Sequence, residues 1–133
     1  CDNISRIGLR EFAQGKNYSN PILNDVLKKI EVRMSKIDYR RKDMHFVIHK
    51  YFDDMHKVMV NTYDALSNKG KFVMVVGDSV IADVYVPTDI ILANIGEEIG
   101  FGIDSIVVAR ERRSGKDRSR KLRETIVTLS KNN

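Results

Sequence analysis

The sequence predicts an α/β fold: a strand, a crossover helix and a second strand, closed by an antiparallel C-terminal hairpin and preceded by two long helices. Three observations predict it. Phe72 to Val76 is an unbroken apolar run between Gly70 and Gly77, as suits a strand buried on both faces. Ile91, Leu92, Ile95 and Ile99 then recur at helical spacing between Pro87 and Gly100. Finally, Ile103 to Ala109 and Thr125 to Leu129 are two β-rich runs joined by a polar, Gly- and Ser-punctuated segment, the pattern of a hairpin at a sheet edge. The first three elements read as a parallel βαβ unit covered by helices.

Each element has its own signals. Cys1 to Asn20 has no sustained period and reads as loop, with a short helical turn near Leu9 to Phe12. Asn20-Pro21 is a helix start. Leu23, Val26, Leu27, Ile30, Met34 and Ile37 follow on one stripe, with Lys28, Lys29 and Arg33 opposite. Asp38 to Lys42 is a polar break. From Asp43 to about Leu66 a second helix is expected, with Met44, Val47, Ile48, Tyr51, Met55, Val58, Met59, Thr62 and Leu66 on its apolar side, lying against the sheet. Ser67 to Gly70 is a turn cluster. After Gly77-Asp78-Ser79 a loop runs to Val86. Pro87 suits a first helical position and Asp89 the positive end of the helix dipole, and Gly100 suits a left-handed cap. The chain therefore divides into an N-terminal loop and helical region, residues 1–69, and a C-terminal α/β part, residues 70–133.

Composition bounds the function. At 133 residues, 42% apolar and 31% charged, the chain is an ordinary globular domain with room for a core. No apolar run approaches the roughly 20 residues that cross a bilayer, so no membrane partner is expected. Cys1 is the sole cysteine, which removes intramolecular disulfides and thiolate metal clusters and fits a cytoplasmic setting. A chain opening on Cys1 instead of Met is expected to be processed, trimmed or one section of a longer polypeptide.

The net charge of +5 is local: Arg110 to Glu124 holds eight basic residues against three acidic ones, so the rest of the chain is neutral. Arg112, Arg113, Lys116, Arg118, Arg120 and Lys121 are the candidate nucleic-acid contacts, because guanidinium forks match phosphate oxygens and each neutralised phosphate releases counterions. No aromatic residue interleaves the run, so phosphates on a duplex fit better than stacked single-stranded bases. A solvated basic loop is the plain alternative.

Gly77, Asp78 and Ser79 are the candidate substrate-edge residues, since ligands of open α/β sheets bind beyond the C-terminal ends of strands. The plain alternative has Gly77 permitting the turn and Asp78 bonding the loop backbone. Neither G-x-G-x-x-G nor G-x-x-x-x-G-K-[ST] occurs, and Gly96 and Gly100 to Gly102 read as helix-end caps. His45 and His49 share a helical face but lack the Glu and the third ligand of a zinc site. Met34, Met44, Met55, Met59 and Met74 read as core filler. Ser79 has no assignable base, and Asp53-Asp54 and Glu97-Glu98 read as solvent-exposed pairs on helices.

The runs N-K-G-K-F-V-M-V-V-G-D-S, Y-V-P-T-D-I-I-L-A-N-I-G-E-E-I-G-F, I-D-S-I-V-V-A-R and R-E-T-I-V-T-L-S-K resemble the C-terminal half of class I S-adenosylmethionine-dependent methyltransferases. Among these they look most like the DNA methylases that modify the exocyclic amino group of adenine or cytosine. The resemblance covers about Asp64 to Lys131. It implies a Rossmann-like partial sheet with a reversed final hairpin, Gly77-Asp78 near the substrate edge, and the basic hairpin where such enzymes can meet nucleic acid. The family's Gly-rich cofactor loop and its [D/N/S]-P-P-[Y/F/W] motif are absent: Pro21 and Pro87 are the only prolines. No catalytic residue is carried over. S-adenosylmethionine is implied for a parent enzyme and is not expected to bind this chain alone. The implied partners are duplex DNA and the missing N-terminal half, or a second chain, with self-association through the exposed sheet edge. An RNA methyltransferase fragment and a non-catalytic nucleic-acid-binding α/β module are the alternatives. Target sequence and methylated base are not readable.

Overall fold

The structure, a computed structural model, describes residues 18–35, 44–114 and 120–131. The elements run α1 (Pro21–Met34), α2 (Met44–Ala65), β1 (Lys71–Gly77), β2 (Ser79–Ile81), β3 (Val84–Val86), α3 (Thr88–Ile99), β4 (Gly102–Ser114) and β5 (Arg120–Ser130). The N-terminal loop reading before Tyr18, the break at Asp38 to Lys42, Ile37, Lys116 and Arg118 lie outside the described residues. None of the described helices is long and apolar enough to cross a membrane.

The helix α1 starts as its sequence requires. Asn20 is extended, and its side chain accepts a 2.7 Å bond from the Leu23 amide while Pro21 fills the first turn. Leu23, Val26, Ile30 and Met34 form its buried stripe. The partners of α2 are α1 and α3. Its buried face differs from the periodicity reading: Phe52 and Asp53 are buried with Val47, Ile48 and Met59, while Val58 is 48% exposed. Asp53 is therefore not a solvated acid. It accepts a 2.9 Å bond from the Tyr18 amide and pairs with Lys57 at 3.2 Å, which satisfies its buried carboxylate. The C-terminal end of α2 is capped from a distance by Lys131, whose Nζ donates to the carbonyls of Tyr63 and Leu66 at 2.7 and 3.0 Å.

The main sheet has the order β1-β5-β4, and both neighbours of β5 run antiparallel to it. β1 and β4 thus point the same way, with α3 as the crossover between them. They do not pair, as a parallel βαβ unit would have them. The return strand of the C-terminal hairpin occupies the slot between them, and the hairpin's other strand, β4, forms a sheet edge as expected. The reason is apolar content: Thr125, Val127 and Leu129 on the inner side of β5 are all fully buried, whereas Val107 and Val108 of β4 are about half exposed. The strand with the most complete inner face takes the centre, and the adjoining hairpin ladder places its partner beside it.

The reading of β1 as buried on both faces is also corrected. Met74 and Val76 face the core, but Val73 is 58% and Val75 71% exposed. Among the described residues the helices cover one face of the sheet only. Residues 79–86 are not a plain loop. β2 and β3 form a hairpin whose two turn residues, Ala82 and Asp83, both have positive φ (51° and 64°), the two-residue turn that matches strand twist.

Two glycines act through space and backbone. Gly100 stops α3 at φ 130°, its amide bonding to the carbonyls of Gly96 and Glu97. Gly96 is not a cap but lies inside α3. A Cβ there would sit 2.6 Å from Leu129 Cδ1 and 3.3 Å from Met59 Cε, so its absence lets the helix settle onto β5. The resulting core runs from Leu23 through Phe52, Met59, Ile91, Leu92 and Ile95 to Val127 and Leu129.

Candidate functional site

The C-terminal end of β1 is where three elements meet. The amide of Asp78 donates to the Arg123 carbonyl at 3.1 Å, carrying the ladder one step past Gly77. The carboxylate of Asp78 is 1% exposed. It accepts the Tyr85 hydroxyl proton from β3, and Arg123 Nε lies 3.3 Å from the same oxygen. Arg123 also reaches Asp89, at the start of α3, with its Nη2 at 2.9 Å. Asp89 is fully buried and takes a further 2.9 Å bond from the Thr125 hydroxyl. One guanidinium thus bridges two buried carboxylates and ties β5 to the β1–β2 junction and to α3.

Titration follows from this packing. Burial pushes the Asp78 carboxyl above the usual carboxylate range, and the nearby Asp89 charge adds to the rise; the Tyr85 bond and Arg123 oppose it. Burial and the bond to Asp78 push the Tyr85 hydroxyl up to about 12. Asp78 Oδ1 has no hydrogen-bond partner among the described residues.

Arg112 anchors the other side. Its Nη2 donates to the Asp78 carbonyl at 2.6 Å, and the guanidinium lies over Gly77, where a Cβ would come within 3.3 Å of Nη2. Farther out, Arg110 holds Glu124 by two bonds of 2.9 and 3.0 Å, which pulls the Glu124 carboxyl below its ordinary range. Past Arg123 the strands β4 and β5 continue as a two-stranded ribbon with no third strand beside them among the described residues. There Arg113 stands directly opposite Lys121, both exposed, and Ser114 opposite Arg120.

The structure therefore places the predicted residues in two groups. Gly77, Asp78 and Ser79 lie together at the strand end, with the Asp78 carboxylate occupied by Tyr85 and Arg123. Of the basic set, Arg112 is turned into that strand end, while Arg113 and Lys121 face outward. The Arg120 side chain, Lys116 and Arg118 lie outside what is described. Tyr85, Asp89 and Thr125 join the network without a sequence motif, since only the tertiary fold brings them together.

Two hollows flank the strand end. An apolar cavity of about 380 Å³ opens between α2 and β2, lined by Ile48, Tyr51, Phe52, Gly77, Ser79 and Thr88 among others. A more open groove of about 620 Å³ lies between α1 and the β2–β3 turn, with Lys28, Lys29, Arg33 and Tyr85 on its walls and Asp25 and Asp83 pairing two of those cations. Two of the three histidines are engaged elsewhere: His49 Nε2 lies 2.5 Å from the Tyr18 carbonyl and His56 stacks on the Tyr18 ring. No group of three metal-ligating side chains occurs among the described residues.

Sequence comparison supplies the context. The chain is similar to a Type II methyltransferase. Over 87 residues it is 29% identical to the Type II methyltransferase M.AvaI of Nostoc sp. and to the same-named protein of Anabaena variabilis, a stretch that covers 65% of this chain and 18% of each relative. The matching stretch is thus under a fifth of those relatives' length. No protein-family profile matches the chain, and no solved structure matches it. The similarity supports a relationship with Type II methyltransferases.

Proposed function

We propose that this chain is the segment of a Type II DNA methyltransferase that follows the catalytic motif, carrying the trailing strands of a Rossmann-like sheet and a basic ribbon that meets duplex DNA. The similarity to M.AvaI is the observation that carries this reading. The topology supports it: the C-terminal hairpin is antiparallel, in keeping with the reversed final hairpin that the family resemblance implies. The uncovered valines of β1 and β4, and the edge of β1 that β5 leaves free, support a larger sheet to which this piece contributes.

The reaction of the whole enzyme would be methyl transfer from S-adenosylmethionine to an exocyclic amino group of adenine or cytosine. The residues described here do not fit that cofactor. The apolar cavity beside Gly77 offers hydroxyls of Ser79, Thr88 and Tyr51 but no carboxylate for a ribose diol or a sulfonium charge. The chain's own part is to build the strand end and hold the ribbon against phosphates.

The decisive experiment combines this chain with the polypeptide encoded immediately upstream and measures transfer of a labelled methyl group to duplex DNA. Incorporation is expected with both parts and not with this chain alone, and calorimetry of this chain with S-adenosylmethionine should show no micromolar binding. An upstream sequence lacking a Pro-Pro-aromatic motif, or a combination that methylates nothing, refutes the reading.

A further inference from the structure

The eight basic residues between Arg110 and Glu124 look interchangeable in the sequence. The structure divides them. Arg123 is spent on Asp78 and Asp89, Arg112 on the Asp78 carbonyl, and Arg110 on Glu124. Arg113 and Lys121 differ from all three. They are exposed, they stand directly opposite each other across the ribbon, and neither has a carboxylate partner among the described residues. The next pair along is Glu111 and Arg123; Arg123 is committed to the two buried aspartates, and Glu111 makes no ion pair with Arg113 or Lys121 among the described residues.

Directly opposed like charges weaken a strand pair, since their Cβ atoms are only about 4.5–5.5 Å apart. Such a pair becomes favourable when one anion sits between the two cationic heads. Arginine supplies a planar fork and lysine a point charge, which together suit the several oxygens of one phosphodiester. Among the described residues the ribbon past Arg123 has no flanking strand, and both side chains are exposed to approach from outside. The inward arginines hold the base of the ribbon, which fixes the register that sets the outer pair opposite each other.

We propose that Arg113 and Lys121 form a clamp for a single backbone phosphate of duplex DNA, and that Arg112 and Arg123 are positioning residues that hold the clamp without touching the nucleic acid. This rests on the DNA reading above and assigns its phosphate contact to two named side chains.

The test measures affinity for a short DNA duplex across a salt series, for the wild-type chain, R113Q, K121Q and the double variant. A shared phosphate predicts that each single variant leaves the salt slope nearly unchanged, because the remaining cation still neutralises it, and that the double variant lowers the slope by about 0.9. An unchanged slope in the double variant overturns the clamp and leaves DNA binding to other residues. A loss of about 1.8 in the double variant overturns the sharing, because it counts two phosphates. Equal affinity for an RNA duplex overturns the assignment to DNA. A second measurement separates the clamp from the DNA reading: inorganic phosphate is titrated into the wild-type chain and followed by amide shifts. Shifts centred on Arg113 and Lys121 in a chain that binds no duplex uphold the clamp and refute its nucleic-acid ligand; no shift at either residue overturns the clamp itself.

Discussion

Replacing Arg123 with Met should expose how much the strand end depends on one guanidinium. Met keeps an apolar stem of similar reach and removes the charge. Asp78 and Asp89, which are almost completely buried, then face each other without a cation. Breaking a buried ion pair by deleting one partner typically costs about 3–5 kcal/mol. Here the Arg123 side chain keeps 37% of its surface in solvent, so water recovers part of that loss and about 2–4 kcal/mol is expected. With a urea dependence of about 2 kcal/mol per molar, the middle of the usual range, the unfolding midpoint should fall by about 1–2 M. The pH dependence gives the sharper check. Burial already raises the Asp78 pKa above its unfolded value near 3.9, so folding favours the protonated carboxyl. Stability from this group is complete below about pH 3.9 and is lost as pH rises through the folded pKa. Without Arg123 the carboxyl is raised further, so the penalty should be smallest in acid and grow toward neutral pH. Urea titrations of both proteins at several pH values measure it. A cost under about 1 kcal/mol at neutral pH, or one that does not change with pH, would show that the bridge is not what holds these carboxylates in place.

Three further substitutions test the frame around that site. Gly96→Ala should destabilise by about 1–3 kcal/mol although Ala favours helix, because the new methyl meets Leu129 at 2.6 Å; pairing it with Leu129→Ala should cost less than the two separate losses combined. Asn20→Ala removes the cap on the Leu23 amide and should cost about 1 kcal/mol, read by urea denaturation, with Asn20→Ser close to wild type. Val75→Lys places a charge on the most exposed valine of the uncovered sheet face, and any self-association that sedimentation detects in the wild type should fall, with little change in thermal midpoint.

Much of the fold could be read from local pattern, and what escaped was decided at long range. The stripe of α1, the span of α2, the apolar run of β1 and the glycine stop at Gly100 are properties of a few neighbouring residues, and they appear as expected. The order of the strands is not such a property. Phe72–Val76 and Ile103–Ala109 each look able to accept a parallel neighbour. Only the combined burial of Thr125, Val127 and Leu129 against α3 decides that β5 stands between them. Gly96 misled for the same reason: beside Gly100 it resembles a helix end, yet its role is set by Leu129, more than thirty positions away.

The candidate site shows the same division with a chemical consequence. In the sequence Asp78 is a carboxylate free to meet a ligand, and Arg112 and Arg123 are two of many cations. In the fold Arg123 neutralises the Asp78 carboxylate, because a carboxylate buried at a strand end needs a partner, and Arg112 is held on the Asp78 backbone carbonyl. Charge counted along the chain therefore overstates what the ribbon offers to a polyanion. The inward arginines spend their charge on structure, Arg110 is matched by Glu124, and the opposed pair at Arg113 and Lys121 is left facing outward among the described residues. A charge-reversed Asp78 network should thus disturb stability first and salt-dependent binding second, whereas neutralising Arg113 and Lys121 should do the reverse. Measuring both quantities on both sets of variants separates cations that build the ribbon from cations that use it, and equal effects on the two quantities would refute that separation.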